Sequence, residues 1–482
     1  MKYCSTRGKE KGLSFKDVLF SGYAKDGGLY MPEVIPKLNE TEVKEWSAHS
    51  YPDLVYLISR KFISEEEIPS HALKDIINGS LKRFRTPKII EIERLEGGLN
   101  IVELFHGTTL AFKDLALSVV GGLLDFFLKE NSEHVTVLIG TSGDTGSAAI
   151  ESVRGRESID IVVLLPHGRC TRIQELQMTT VIEDNVHVYC VDGTSDELDE
   201  PIKRCFADEE LVAKHRLISI NSINWGRIMA QVAHYFYTYY HLCSSVGQPV
   251  KIVVPTGAAG NITAGCLAQK MGLPITLVAG VNTNDIVART LSSGDFSIRE
   301  NVCQTLAPAM DIQVPYNVER LIYLHTNGDT KRVKEVMDSY EEVGKAAVPE
   351  DILRSLKNVV VVPPLPDWMP LLCHGDTLVL DDSQITEVMK KVYKEHNYIL
   401  CPHTATAAAY HYISKEENPC GYIATASPAK FPEAVEKAGA QPVTEGIGHL
   451  EDLPTKFTWM KKGEDWYSIL RNRIEVISSK KV

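Results

Sequence analysis

The stretch FHGTTLAFKDLALS, residues 105–118, sets Lys113 among apolar residues with Asp114 beside it. A lysine in such company is either a stem that snorkels along the surface or an amine held in a pocket. In a pocket, burial lowers its pKa and leaves it able to attack or to move protons. Two loops offer backbone donors to an anion. IGTSGDTGSAAIESV, from Ile139, runs from a strand through Thr141, Ser142, Gly143, Asp144, Thr145 and Gly146 into a helix. VVPTGAAGNITAG runs in the same way through Gly257, Ala258, Ala259, Gly260 and Asn261. Small side chains leave the N–H groups of such loops open, and the dipole of the following helix adds to the attraction. The first loop lacks the dinucleotide spacing, and no Gly-Lys-Ser follows it as a nucleotide loop requires. Taken singly it reads equally as a plain strand-to-helix turn; two such loops in one chain say more.

SINSINWGRIMAQ (219–231) places Asn221, Ser222 and Arg227 near a helix start. The guanidinium either grips a phosphate or carboxylate in bidentate fashion or lies on the surface of a capped helix. YILCPHTATAAAYHY (398–412) begins a helix at Pro402, where Thr404 is most simply a cap and His403 a structural residue.

The elements that must position these groups follow from the apolar pattern. VTVLIG (135–140), IDIVVLLP (159–166), NVHVYCV (185–191), KIVVPTG (251–257) and ITLVAGV (275–281) read as buried strands. Each leads into a loop, and several then enter a helix, which argues an α/β fold with parallel sheets covered on both faces. Ligands of such folds gather at the C-terminal ends of the strands, where the loops above lie. Residues 1–95 are mostly helical in pattern and read as a cap. NVVVVPPLPDWMPLLCHGD, spanning 358–376, is broken by prolines and reads as an inserted surface loop, not a regular helix or a central strand.

The 482 residues allow two or three lobes and a buried site. A net charge of −12, with no basic stripe, argues against nucleic acid or a membrane surface as partner. No apolar run is long enough to span a bilayer, and MKYCSTRGKEKG lacks a signal-peptide core. The ten cysteines form no C-x-x-C pair, which fits reduced thiols in the cytoplasm better than disulfides or zinc.

In this order, the apolar-flanked lysine, the Ser/Thr-Gly loop, the glycine-rich loop and the late threonine resemble fold-type II pyridoxal-phosphate enzymes. Within them the chain is similar to the threonine synthase family. F-H-G-P-T-x-A-F-K-D resembles FHGTTLAFKD, T-S-G-D-T-G matches 141–146, N-S-I-N-W-x-R-I matches 221–228, D-P-H-T-A resembles CPHTA, and P-A-K-F-P-E-A-V matches 428–435. GYAKDGGLYMPE and AMDIQVPYNVERL are also similar to family segments, so the resemblance spans nearly the whole chain.

The resemblance implies two open, mostly parallel α/β domains with an N-terminal, mainly helical cap. It divides the chain into a cap (1–95), a large domain (96–133 and 223–482) and a smaller one inserted at 134–222, with pyridoxal 5'-phosphate between the two. Lys113 would form the Schiff base, Gly257, Ala258, Ala259, Gly260 and Asn261 would cradle the cofactor phosphate, and Thr404 would meet the pyridine nitrogen. Thr141 to Gly146 would take the substrate carboxylate; Asn221, Ser222 and Arg227 would take its phosphate. A neutral hydroxyl at the ring nitrogen favours elimination over transamination, and freed Lys113 is the natural base for the α-proton. The chain departs from the family at three places. Its GNFGD loop is here GAAGN, its FHGPT is FHGTT, and the Asp of DPHTA is Cys401. These changes leave cofactor binding intact and bear on the outcome. An animal branch of the family implies a phospho-lyase acting on O-phosphohomoserine or O-phosphothreonine, giving 2-oxobutyrate, ammonia and phosphate. The alternatives are a true threonine synthase and a catalytically silent cofactor-binding or signalling protein.

Overall fold

The β-branched runs form strands because they are buried on both faces, where branched side chains pack well on a pleated surface. Ile159–Pro166 is buried at every position and lies inside a five-stranded sheet. The order of that sheet is Thr458–Met460, Val186–Val191, Ile159–Pro166, Val135–Gly140, Leu217–Ile218, all parallel. The protein is described by a computed structural model, which covers residues 1–193, 195–357, 360–361, 379–414 and 418–479.

A seven-stranded sheet forms the other half. Its order is Val360–Val361, Ile275–Asn282, Val250–Pro255, Cys420–Ala424, Asn100–Glu103, Glu91–Arg94, and Val379–Leu380 also pairs with Ile275–Asn282. Every pairing is parallel except that of Glu91–Arg94 with Asn100–Glu103. The fold is therefore α/β, with two mostly parallel sheets.

Two expectations change. The resemblance puts the C-terminal segment in the larger unit, but Thr458–Met460 pairs with Val186–Val191 and Trp466–Ser479 packs on Ser195–Ala207, both in the five-stranded unit. The buried edge of Val186–Val191 has unpaired backbone groups that this strand satisfies. Of the proline-rich stretch, Val360–Val361 is an edge strand along Ile275–Asn282; it precedes the prolines, so its N–H groups are available. The remainder of 358–376 lies outside the described residues.

The N-terminal part is mainly helical, with one antiparallel pair, Tyr3–Ser5 with Tyr30–Pro32. Its helix Tyr51–Phe62 buries Leu54, Val55, Ile58 and Phe62, a helix-period stripe, against the helix Trp225–Leu242. Ser50 caps its start by accepting the Asp53 N–H. Phe62 meets Trp225 edge-on, with ring centroids 5.5 Å apart. Trp225–Leu242 is buried on nearly all sides, between the cap and the large sheet's helices, and it carries Arg227. Among the described residues, no helix is long and apolar enough to cross a membrane.

Candidate active site

Lys113 is the first residue of the helix Lys113–Asn131, and the loop before it is fastened at several points. Thr109 donates to Asp114 twice, from its N–H at 2.8 Å and its hydroxyl at 2.7 Å. A side chain at Gly107 would fall 2.4 Å from Asp114, so only glycine lets this carboxylate fold back onto its own turn. Burial pushes the Asp114 carboxyl up to about 6, against the pull of those hydrogen bonds. Backbone bonds from Phe112 to Thr425 (2.8 Å) and from Ser427 to Leu110 (3.0 Å) tie the loop to the end of the strand Cys420–Ala424.

Lys113 opens into a cavity of about 240 Å³ between the two sheets, reached by Gly140 at one strand end and Pro255 at another. Ser142, Thr141, Asp144 and Thr145 line it from one side. Asn221, Ser222 and Arg227 line it too, as do Gly257, Ala258, Ala259, Gly260 and Asn261. The structure does not place Gly143, Gly146 or Thr404 in the wall.

Their positions have reasons. Gly143 has φ 135°, and a side chain there would lie 2.5 Å from Gln174. A side chain at Gly146 would meet Met178 and Thr141 at 2.5 Å. Both glycines let the loop pack closely on the helix Arg172–Thr179. The Thr141 hydroxyl is committed as well, accepting from the N–H of Gly143 (3.0 Å) and of Gly146 (2.8 Å). Thr404 is buried at the start of the helix Pro402–Ile413, its hydroxyl 3.1 Å from Cys401 Sγ. Its neighbours His403 and Thr425 reach the wall instead. His403 Nε2 accepts the Ala309 N–H at 3.2 Å, and burial lowers its pKa to about 4, so it is a neutral support for the turn Pro308–Met310.

Asp144 does not present its carboxylate to an anion. Oδ1 accepts from Gln174 at 2.8 Å and pairs with Lys430 Nζ at 2.8 Å, while Oδ2 lies 3.5 Å from Lys113 Nζ. Burial alone would raise its pKa, but Lys430 and Lys113 hold it well below the carboxylate range. Lys113 moves the other way: burial lowers its pKa, Asp144 opposes this, and Arg227 and Lys430 add to it. Sequence reading passed over Lys430, although PAKFPEAV sets it between apolar residues as Lys113 is set.

Arg227 is 3% exposed and, among the described residues, forms no ion pair. Nη1 donates to the Ile220 carbonyl at 3.1 Å, and Nε has no partner among the described residues. Burial lowers its pKa to about 10. An uncompensated buried cation costs several kcal/mol, which makes this corner of the cavity a place for an anion. Asn221 Oδ1 and Gln231 Oε1, beside it in the wall, also lack partners among the described residues.

The second loop leads into the helix Gly260–Met271 with Ala259 in the left-handed region at φ 58°. A side chain at Gly257 would lie 2.9 Å from the Ala309 carbonyl. Asn261 turns inward, its Oδ1 accepting from Tyr235 (2.8 Å) and His234 (3.0 Å). The loop thus offers backbone N–H groups at a helix N-terminus, with no side chain in the way.

The chain is similar to known proteins along nearly its whole length. Residues 2–81 match the family "Threonine synthase N terminus", residues 82–339 "Pyridoxal-phosphate dependent enzyme", and residues 404–469 "Threonine synthase, C-terminal". "Threonine synthase-like 2" of Xenopus laevis is 50% identical over 488 residues, covering 100% of each chain. PLP-bound threonine synthase from Brucella melitensis superposes with a TM-score of 0.89 at 33% identity, covering 99% of each chain. Threonine synthase from yeast gives 0.89 at 34% identity with the same coverage.

Proposed function

Because the chain belongs to the threonine synthase family, whose cofactor is pyridoxal 5'-phosphate, we propose that it eliminates phosphate from O-phosphohomoserine or O-phosphothreonine. The products are 2-oxobutyrate, ammonia and phosphate. The observation that carries this reading is Arg227, a buried cation with no counter-charge among the described residues, in the same cavity as Lys113. A second anion site, at 257–261, lines that cavity.

The residues fit the cofactor. The Gly257 cradle has no room for a side chain, Asn261 Nδ2 lacks a partner among the described residues, and burial lowers the pKa of the Lys113 amine. Residues 257–261 would hold the phosphate and Lys113 the aldehyde. When bound, the cofactor withdraws electrons from the substrate's α-carbon.

The chain's own groups do the rest. The amine of Lys113 takes the α-proton, and burial, which lowers its pKa, makes it readier to work as a base. The N–H groups of Ser142, in the loop before the helix Asp144–Val153, and of Asp144 and Thr145, in its first turn, hold the substrate carboxylate. Arg227 receives the departing phosphate, and one such contact is worth about 3 kcal/mol in a site sheltered from water. The substrate loses the elements of phosphoric acid; one water then releases ammonia and leaves 2-oxobutyrate. A synthase would instead add that water at Cβ and keep the nitrogen, an outcome favoured by the similarity to yeast threonine synthase.

A product assay on both substrates tests the proposal. Phosphate with equimolar 2-oxobutyrate and ammonia supports the lyase. Phosphate with threonine replaces it by the synthase, and a loaded protein that releases no phosphate removes both.

A further inference from the structure

We propose that Lys430 is a positioning residue for the amine of Lys113 and acts through Asp144, an inference that rests on the cofactor-enzyme reading above. Lys430 ends the turn Pro428–Lys430 and is fully buried. Its Nζ donates to the Thr109 carbonyl at 2.8 Å and pairs with Asp144 Oδ1 at 2.8 Å. Both contacts bear on Lys113. Thr109 belongs to the loop that presents it, and Asp144 is the carboxylate that faces it.

The two oxygens of Asp144 are unequally shared. Oδ1 takes Lys430 and the Gln174 amide, each at 2.8 Å, whereas Oδ2 meets Lys113 at 3.5 Å. Alone with Lys113, a buried Asp144 would form a one-to-one pair and keep the lysine protonated. Lys430 makes the closer claim on that charge. One carboxylate then faces two lysines, and the lysine farther from it gives up its proton more readily.

The remaining groups around Lys113 supply no further negative charge among the described residues. Arg227, from the helix Trp225–Leu242, adds a like charge, and His403, from the helix Pro402–Ile413, is neutral and offers no counter-charge; the Phe112 ring, 5.1 Å from Nζ, opposes them weakly by favouring the ammonium. Lys430 thus keeps Lys113 in the state that attaches the cofactor and moves protons, without touching either reactant.

Trace acylation of the full chain with acetic anhydride, read at Lys113 by mass spectrometry across pH, gives the midpoint of its amine without any cofactor. Lys430→Met is expected to raise that midpoint by about one unit or more, since it removes a like charge and frees the opposite one. Asp144→Asn is expected to lower it, and Lys430→Arg to restore the wild-type value. A wild-type midpoint in Lys430→Met overturns the proposal. Should that variant not fold, an unchanged midpoint in Asp144→Asn overturns it equally. Growth of visible absorbance on adding pyridoxal 5'-phosphate should shift in pH along with the labelling. If the wild-type chain takes up no cofactor, the functional reading fails while the labelling midpoints still decide on Lys430.

Discussion

Tyr316 and Asp199 meet across the mouth of the cavity, the phenol donating to Asp199 Oδ2 at 3.1 Å. Asp199 rides on Ser195–Ala207, which packs on the five-stranded sheet; Tyr316 precedes the helix Val318–His325 of the other half. The contact therefore joins the two units over the site.

Tyr316→Phe should loosen this junction. A hydrogen bond to a charged group contributes about 1.5–3 kcal/mol, so kcat/KM should fall by about tenfold with cofactor retained. Amide exchange within 197–207 should quicken; unchanged exchange there would remove the junction as the cause.

Arg227→Met should cut phosphate release by about 100-fold or more while cofactor absorbance persists. Stability has the opposite sign. No ion pair is lost and a lone buried charge is removed, so the cofactor-free variant should melt no lower than the wild type. A clear drop in its melting temperature would mean that Arg227 has a counter-charge after all.

The pH dependence of stability should carry the mark of Asp114. Its pKa is about 6 in the fold against 3.8 unperturbed. The native state thus binds more protons between these values, and stability gains as pH falls through about 6 toward 3.8. Charge on this group costs up to about 3 kcal/mol above pH 7. Relative to Asp114→Asn, the wild type should gain stability on acidification over that window, as paired urea melts would record. A constant difference would contradict it.

Phe62→Ala should destabilise the cap by about 3–5 kcal/mol, because it opens a cavity against Trp225 in a fully buried contact. Since Trp225 lies two residues before Arg227, phosphate release should weaken as well. Full activity at wild-type stability would show that this packing is dispensable.

Much of this was legible in the chain. Ile159–Pro166 was readable as a strand to the residue, because a run of β-branched and apolar groups that long has few other homes. The lysine loop, the two glycine-rich loops and Arg227 were each ambiguous from their own residues and gained a role from the family resemblance, and the fold brings residues of all of them to one cavity. Three things were hidden. Thr458–Met460 is too short to show a period, so nothing local told which sheet it would join. The pairing of Lys430 with Asp144 links segments distant in the chain, and neither segment contains the other's charge in its pattern. Thr404 carries a hydroxyl in the right part of the chain, but helix geometry turns it toward Cys401 while Thr425 lines the wall.

The C-terminal strand has a consequence for how the molecule is made. A ribosome delivers Val186–Val191 long before Thr458–Met460, with most of the seven-stranded sheet in between. Through that interval Val186–Val191 is an open template for any passing strand. Most of the seven-stranded half is therefore synthesised before the five-stranded half can be sealed, which makes the nascent chain a natural client of chaperones.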